Sequence, residues 1–145
     1  RQLSHAWLLE SLNINVMTSI HLAQGLMAAK KVGPSLQFCA FSARVGSISD
    51  NQLGGWHSYR MTKAMLNMLI KNIALEWRFS VPGTKVFAYH PGTVDSALSK
   101  PFQRTTSHTI FTPQQACEYC MSVLDRDDID KHGTLIDWQG NVIEP

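Results

Sequence analysis

Tyr59 and Lys63 stand four residues apart in Trp56–Phe79, a stretch whose apolar residues recur at helical spacing. On a helix such a pair shares one face, with Cβ atoms about 5–6 Å apart. A free tyrosine holds its proton to about pH 10, too high for a base in neutral water. Bringing that value to about 7 takes about 4 kcal/mol. One ammonium about 4 Å away supplies about that much at an effective dielectric near 20. The type and spacing of this pair therefore allow acid–base chemistry at neutral pH, helped by the positive end of the helix. Taken alone, a Tyr-x-x-x-Lys pair is more often a solvated helix face.

Other groups converge on the pair. Ser42 and Ser47 sit at and just after the end of an apolar run, Ser35–Ser42, and a hydroxyl there can hold a carbonyl oxygen while tyrosine gives or takes a proton. Pro91-Gly92-Thr93-Val94-Asp95-Ser96 follows a second apolar run, Lys85–Tyr89, as a rigid turn exposing backbone amides and a hydroxyl. Asn15 interrupts the apolar stretch from Leu12 to Val16, where a buried amide needs a partner. Competing chemistries are weaker. Cys117 and Cys120 form a Cys-x-x-Cys within a helical pattern, Pro113–Leu124, with no second cysteine pair, so a shared helix face is the favoured reading over a redox or zinc site. The histidines show no metal-binding spacing, and no metal site is expected. A hydrolase using a serine with His90 or His57 lacks the Gly-x-Ser-x-Gly elbow.

The elements that must position these groups alternate. A long amphipathic helix, Ser4–Lys31, ends at Gly33-Pro34. The first apolar run reads as a buried strand, followed by the loop Ala43–Gly55. The Trp56–Phe79 helix then leads to the Lys85–Tyr89 strand. His90–Thr112 is an irregular segment whose length suits a lid rather than a connector. The Pro113–Leu124 helix and a last strand, Thr134–Trp138, complete the order helix-strand-helix-strand-helix-strand, the alternation of a parallel α/β sheet. The 145 residues suffice for one core, and no linker divides them. A formal charge of +2 with no run of like charges gives no case for nucleic acid. No apolar stretch approaches the length of a membrane span, Arg1–Glu10 does not read as a signal peptide, and the odd cysteine count fits a reducing, cytoplasmic setting. Right-handed crossovers bring the strand carboxyl ends, and the long loops after them, to one edge.

Together, Asn15 in the segment Ile14–Val16, the strand-end serine, YRMTK at Tyr59–Lys63 and HPGTVDS at His90–Ser96 resemble the short-chain dehydrogenase/reductase family. Within it, SARVGSISDN (Ser42–Asn51) and GGWHSYRMTKAMLN (Gly54–Asn67) are most similar to C-factor-like and sniffer-type carbonyl reductases. The resemblance implies the C-terminal half of a Rossmann-type doubly wound parallel sheet and an NAD- or NADP-dependent oxidoreductase acting on a carbonyl or alcohol. It implies Tyr59 as general acid/base and Lys63 as the group that depresses its pKa and bonds the nicotinamide ribose. It also implies Asn15 as holder of a relay water, Pro91, Gly92, Val94 and Ser96 as carboxamide-binding residues, and Thr93–Thr112 as a mobile substrate loop.

This chain departs from the family pattern in two places. The family serine stands three residues before a glycine, here Gly46, but position 43 is alanine, which leaves Ser42 and Ser47 as candidates. A one-residue shift at a strand end turns a side chain to the opposite face. Nothing here matches the Gly-rich turn that cradles a pyrophosphate, so the chain reads as one partial domain, 1–145, without the dinucleotide-binding half. Two functions follow: an oxidoreductase site awaiting its cofactor half, or a truncated, non-catalytic remnant that serves as an oligomerising unit. In either case the two long helices are expected to build a homo-oligomer interface.

Overall fold

The computed structural model describes residues 4–105 and 109–145. Positions 1–3, and positions 106–108 of the expected substrate loop, lie outside the described residues. Ser4 caps α1 (His5–Leu12) by accepting the Trp7 N–H. The expected single first helix is one rod interrupted by a π-helical turn, Asn13–Met17, before α2 (Thr18–Ala28) resumes. Asn15 lies in that turn and donates to the Thr62 hydroxyl at 3.1 Å, a tertiary bond that accompanies the local widening. The helix stops short of the expected Lys31. Lys30 adopts a left-handed φ of +52°, and the Lys30 and Lys31 amides fold back onto the carbonyls of Met27 and Leu26.

β1 (Gln37–Phe41), β2 (Lys85–His90) and β5 (Leu135–Asp137) form a parallel sheet in that order, and β6 (Val142–Ile143) adds an antiparallel edge. β6 falls in the tail expected to be loop. A second unforeseen pairing joins β3 (Thr93–Val94) to β4 (Ile110–Phe111) in parallel inside the segment read as irregular. Both corrections have one cause: two-residue strands are fixed by partners distant in sequence and leave no periodicity of their own.

Side chains alternate across the sheet, so each face has its own core. On one face α3 (His57–Ser80) lays Leu66, Ile70, Ile73, Ala74 and Trp77 against Phe38, Ala40, Val86, Ala88 and Leu135, with Val16 and Ala23 of the first helical rod beside them. On the other, α4 (Pro113–Asp125) sets Cys120 and Val123 against Phe87, Tyr89 and Ile136. Thr112 and Gln115 close a capping box at the start of α4. At its far end the buried Lys131 ammonium donates to the carbonyls of Val123, Leu124 and Arg126 at 2.7, 2.8 and 2.9 Å. Cys120 faces this core while Cys117 is exposed, and all three cysteines are free thiols. No helix among the described residues is long and apolar enough to cross a membrane. The expected α/β class with a parallel sheet is what the chain adopts, and Phe41, His90 and Asp137 end their strands on a common edge.

Candidate active site

Tyr59 stands in the first turn of α3 and Lys63 one turn further on. Lys63 is 8% exposed, and its ammonium donates to the Phe41 carbonyl at the end of β1 at 2.8 Å. It lies 5.8 Å from the centre of the Tyr59 ring. The expected depression of the tyrosine is not what this geometry produces. Burial pushes the Tyr59 phenol up from its ordinary value, and burial pushes the Lys63 ammonium down. The ammonium sits over the ring and is bonded to the strand end, so desolvation dominates at both groups. Tyr59 therefore holds its proton at neutral pH, the form in which a phenol donates.

The next turn of α3 brings Asn67 into the same row. Ser42 faces α3 in alternation with Phe38 and Ala40, and its hydroxyl donates to Asn67 Oδ1 at 2.6 Å. Asn67 lies eight residues beyond Tyr59, about 12 Å along the helix axis. Ser47 is also buried, but its hydroxyl donates to the Glu144 carbonyl and accepts the Asp50 N–H. None of these three serine hydrogen bonds runs to Tyr59. A surface cleft of about 310 Å³ beyond Ser47 is lined by Arg44, Ser49, Asp50, Val142, Ile143 and Glu144, with neither Tyr59 nor Lys63 in its wall.

The loop after β1 is stitched along α3. Gly46 approaches so closely that a Cβ there would meet Lys63 C at 2.7 Å, which explains a glycine at this position. Arg60 adds bonds to the carbonyls of Val45 and Gly54 at 3.3 and 3.2 Å. Asn15 is brought to Thr62 rather than to Lys63. The Thr62 hydroxyl, fully buried, in turn donates to the carbonyls of Ser58 and Tyr59. The structure thus links the Asn15 turn to the backbone of the tyrosine.

Pro91 and Gly92 follow β2 on the same sheet edge, with Gly92 at φ +77°. The Val94 carbonyl accepts from the Ser99 hydroxyl at 2.6 Å, and Ser96 is exposed with its N–H on the same Ser99 oxygen. Thr62, Arg60 and Asn67 are site neighbours that the sequence reading passed over. Asn67 had a legible signal, since it repeats the four-residue spacing of Tyr59 and Lys63. Arg60 and Thr62 act through long-range contacts with no local pattern.

No family model matches the chain. Over 84 residues it is 38% identical to 1-hydroxy-2-glutathionyl-2-methyl-3-butene dehydrogenase of Rhodococcus sp. (strain AD45), a match covering 58% of this chain and 35% of that protein. It is 24% identical to C-signal of Myxococcus xanthus over 139 residues, 96% of this chain and 79% of that protein. Among solved structures, the NADPH-bound carbonyl reductase from chicken fatty liver superposes with a TM-score of 0.79 at 24% identity, over 99% of this chain and 59% of that one. Carbonyl reductase Sniffer of D. melanogaster gives a TM-score of 0.83 at 20% identity, again over 99% and 59%. The fold is therefore shared with these two carbonyl reductases, and the chain spans about three-fifths of each.

Proposed function

We propose that this chain carries the catalytic portion of an NAD(P)-dependent oxidoreductase of short-chain dehydrogenase/reductase type, moving a hydride between a nicotinamide and a small carbonyl or alcohol, with Tyr59 as general acid/base. The observation that carries the proposal is the pairing of a half-buried Tyr59 with a buried Lys63, its ammonium 5.8 Å from the ring centre, at the carboxyl edge of the sheet. The similarity to a Rhodococcus dehydrogenase and the fold shared with an NADPH-bound carbonyl reductase support it.

The residues present fit the nicotinamide end of such a cofactor. Gly92 bends the backbone with φ +77° beside Thr93 and Val94, on the edge that carries Tyr59 and Lys63. The sequence carries no Gly-rich turn that would cradle the pyrophosphate, so the proposal is confined to the nicotinamide end. When bound, the nicotinamide supplies or accepts the hydride at the carbonyl carbon. Tyr59 gives its phenolic proton to the carbonyl oxygen, and the Lys63 ammonium would hold the ribose and partly offset the desolvation that disfavours the phenolate. Ser42, on the α3-facing side of β1, is assigned to hold the carbonyl oxygen, for which its hydroxyl must leave Asn67 Oδ1, with Ser47 as the alternative; alanine at each position separates them. Asn15, through Thr62, orients the turn of α3 that carries Tyr59 and supports a relay water toward Lys63. Pro91, Gly92, Val94 and Ser96 take the carboxamide, partly by backbone. The free thiols fit a cytoplasmic setting.

Carbonyl reduction with NADH and NADPH tests the assignment. Tyr59→Phe removes the proton donor and is expected to lower turnover about 10²–10⁴-fold with the fold kept. Wild-type rates in that variant would overturn the proposal.

One observation favours a second reading, the non-catalytic oligomerising unit. Met61, Met65, Met68, Leu75 and Phe79 form an exposed apolar stripe along α3, with Phe79 83% exposed, and Trp7, Ile14 and Leu22 are exposed on the neighbouring helical rod. A homo-oligomer through these two helices is compatible with both readings. Failure to bind either dinucleotide, with stable oligomers by light scattering, would select the second.

A further inference from the structure

Gly92 is enclosed as well as bent. A Cβ at this position would lie 2.6 Å from Phe111 Cε2 and 3.2 Å from Trp138 Cδ1. Phe111 ends β4, Trp138 follows β5, and Tyr119 reaches them from α4. Their ring centres lie 4.7 Å apart for Phe111–Trp138, 5.1 Å for Phe111–Tyr119 and 5.1 Å for Tyr119–Trp138, the first two in edge-to-face geometry. The backbone of Phe111 grips the same turn. Val94 pairs with it in the β3–β4 ladder, and the Asp95 N–H donates to the Phe111 carbonyl at 2.8 Å. Two segments distant in sequence, those of Phe111 and Trp138, thus close on one backbone position that has no side chain, and Tyr119 of α4 packs against both rings.

We infer that Phe111, Tyr119 and Trp138 form an aromatic clasp that fixes the turn from Pro91 to Asp95, and that Trp138 is a positioning residue for nicotinamide binding at that turn. The ligand half of this inference rests on the oxidoreductase reading; the mechanical half does not. Trp138 packs with the α4-side core, across the sheet from the α3 face that carries Tyr59 and Lys63, so its loss is expected to act on the turn and spare the general acid.

The test uses this chain with Trp138→Ala and Trp138→Phe, read by amide hydrogen exchange without ligand and by titration with NADH and NADPH. In Trp138→Ala, exchange at Asp95 is expected to speed and dinucleotide affinity to fall, each by about tenfold. Protection at Leu66 and Ile70 on α3 stays, and Trp138→Phe restores both losses because it keeps an aromatic ring in the clasp. Unchanged exchange at Asp95 overturns the clasp. Faster exchange with unchanged affinity overturns the positioning role, and so does a Trp138→Phe variant that behaves like the alanine. Loss of α3 protection in both variants also overturns it, since the residue would then be ordinary core. If the wild type binds neither dinucleotide, the oxidoreductase reading and the ligand half fall together, while exchange at Asp95 still decides the clasp.

Discussion

The two faces of the sheet hold the two parts of the proposed site by different means. On the α3 face a long helix buries a continuous apolar strip, from Leu66 through Trp77, against β1, β2 and β5. The catalytic row continues that strip toward the start of the helix, and its polar contacts, Lys63 to Phe41 and Ser42 to Asn67, tie it to the strand end. The α4 face has a smaller core, Phe87, Tyr89, Cys120, Val123 and Ile136. There, orientation comes from directional contacts: Lys131 on the end of α4, the Phe111 and Trp138 rings against Gly92 with Tyr119 on both, and Asp137 accepting the amides of Gln139 and Asn141. Buried area is cooperative and its loss spreads, whereas a directional contact fails where it stands. Damage on the α3 face should therefore cost fold and site together. Damage on the α4 face should separate them.

The largest effect is expected at Trp77, 4% exposed and edge-on to Phe38 with ring centres 5.6 Å apart. Trp77→Ala should cost about 3–5 kcal/mol in urea unfolding. It lies eighteen residues along α3 from Tyr59, about 27 Å of helix, yet the catalytic row should lose its order with the fold. A variant that stays folded with its Lys63 and Asn67 amides still protected would break the contrast between the faces.

Lys131→Met sharpens the contrast from the other side. Met keeps an apolar stem of similar length but loses the ammonium that lies 5.5 Å from the Phe87 ring centre and leaves the carbonyls of Val123, Leu124 and Arg126 without their donor. The expected cost is about 1–3 kcal/mol. Hydrogen exchange should place it in the last turn of α4, with α3 unchanged. A loss spread evenly over both helices would show that the α4 face is as cooperative as the other.

The same contrast explains what the sequence disclosed. The α3 face was legible because helical spacing at Met65, Leu66, Leu69, Ile70, Ile73 and Trp77 states the element and its buried side, although Met65, expected in that face, lies at its margin and is 45% exposed. Tyr59 and Lys63 were legible as a pair for the same reason, but the direction of the Tyr59 shift was not. That direction depends on where the Lys63 ammonium goes, and the carbonyl it meets belongs to Phe41, twenty-two residues away. The serine question had a similar limit: alternation along β1 turns Ser42 toward α3, while its partner Asn67 is fixed only by the packing of helix on sheet. On the α4 face little was legible. Nothing around Trp138 announces contact with Gly92, and Lys131 reads as a surface lysine until α4 ends above it.

Alkaline pH separates the faces as well. Cys39 points from β1 to the α4 side, where burial, then the neighbouring Cys120 thiol, pushes its pKa from 9.0 to about 12. The folded chain thus keeps a proton that the unfolded chain gives up, so stability present below about pH 9 is lost as pH rises toward about 12. For one proton the slope reaches at most about 1.4 kcal/mol per pH unit. Tyr89, on the same face, and Tyr59 are pushed up by burial and act in the same sense at higher pH. Lys63 and Lys131 are pushed down by burial and act in the opposite sense, so the wild-type curve alone mixes the groups. Cys39→Val removes one thiol of similar size, and the difference between the two curves isolates it. Urea unfolding from neutral to alkaline pH should show the variant losing less stability across that window. Parallel curves would mean that the Cys39 thiol is as solvated in the folded chain as in the unfolded one, and that the α4 face around it is too loose to exclude water.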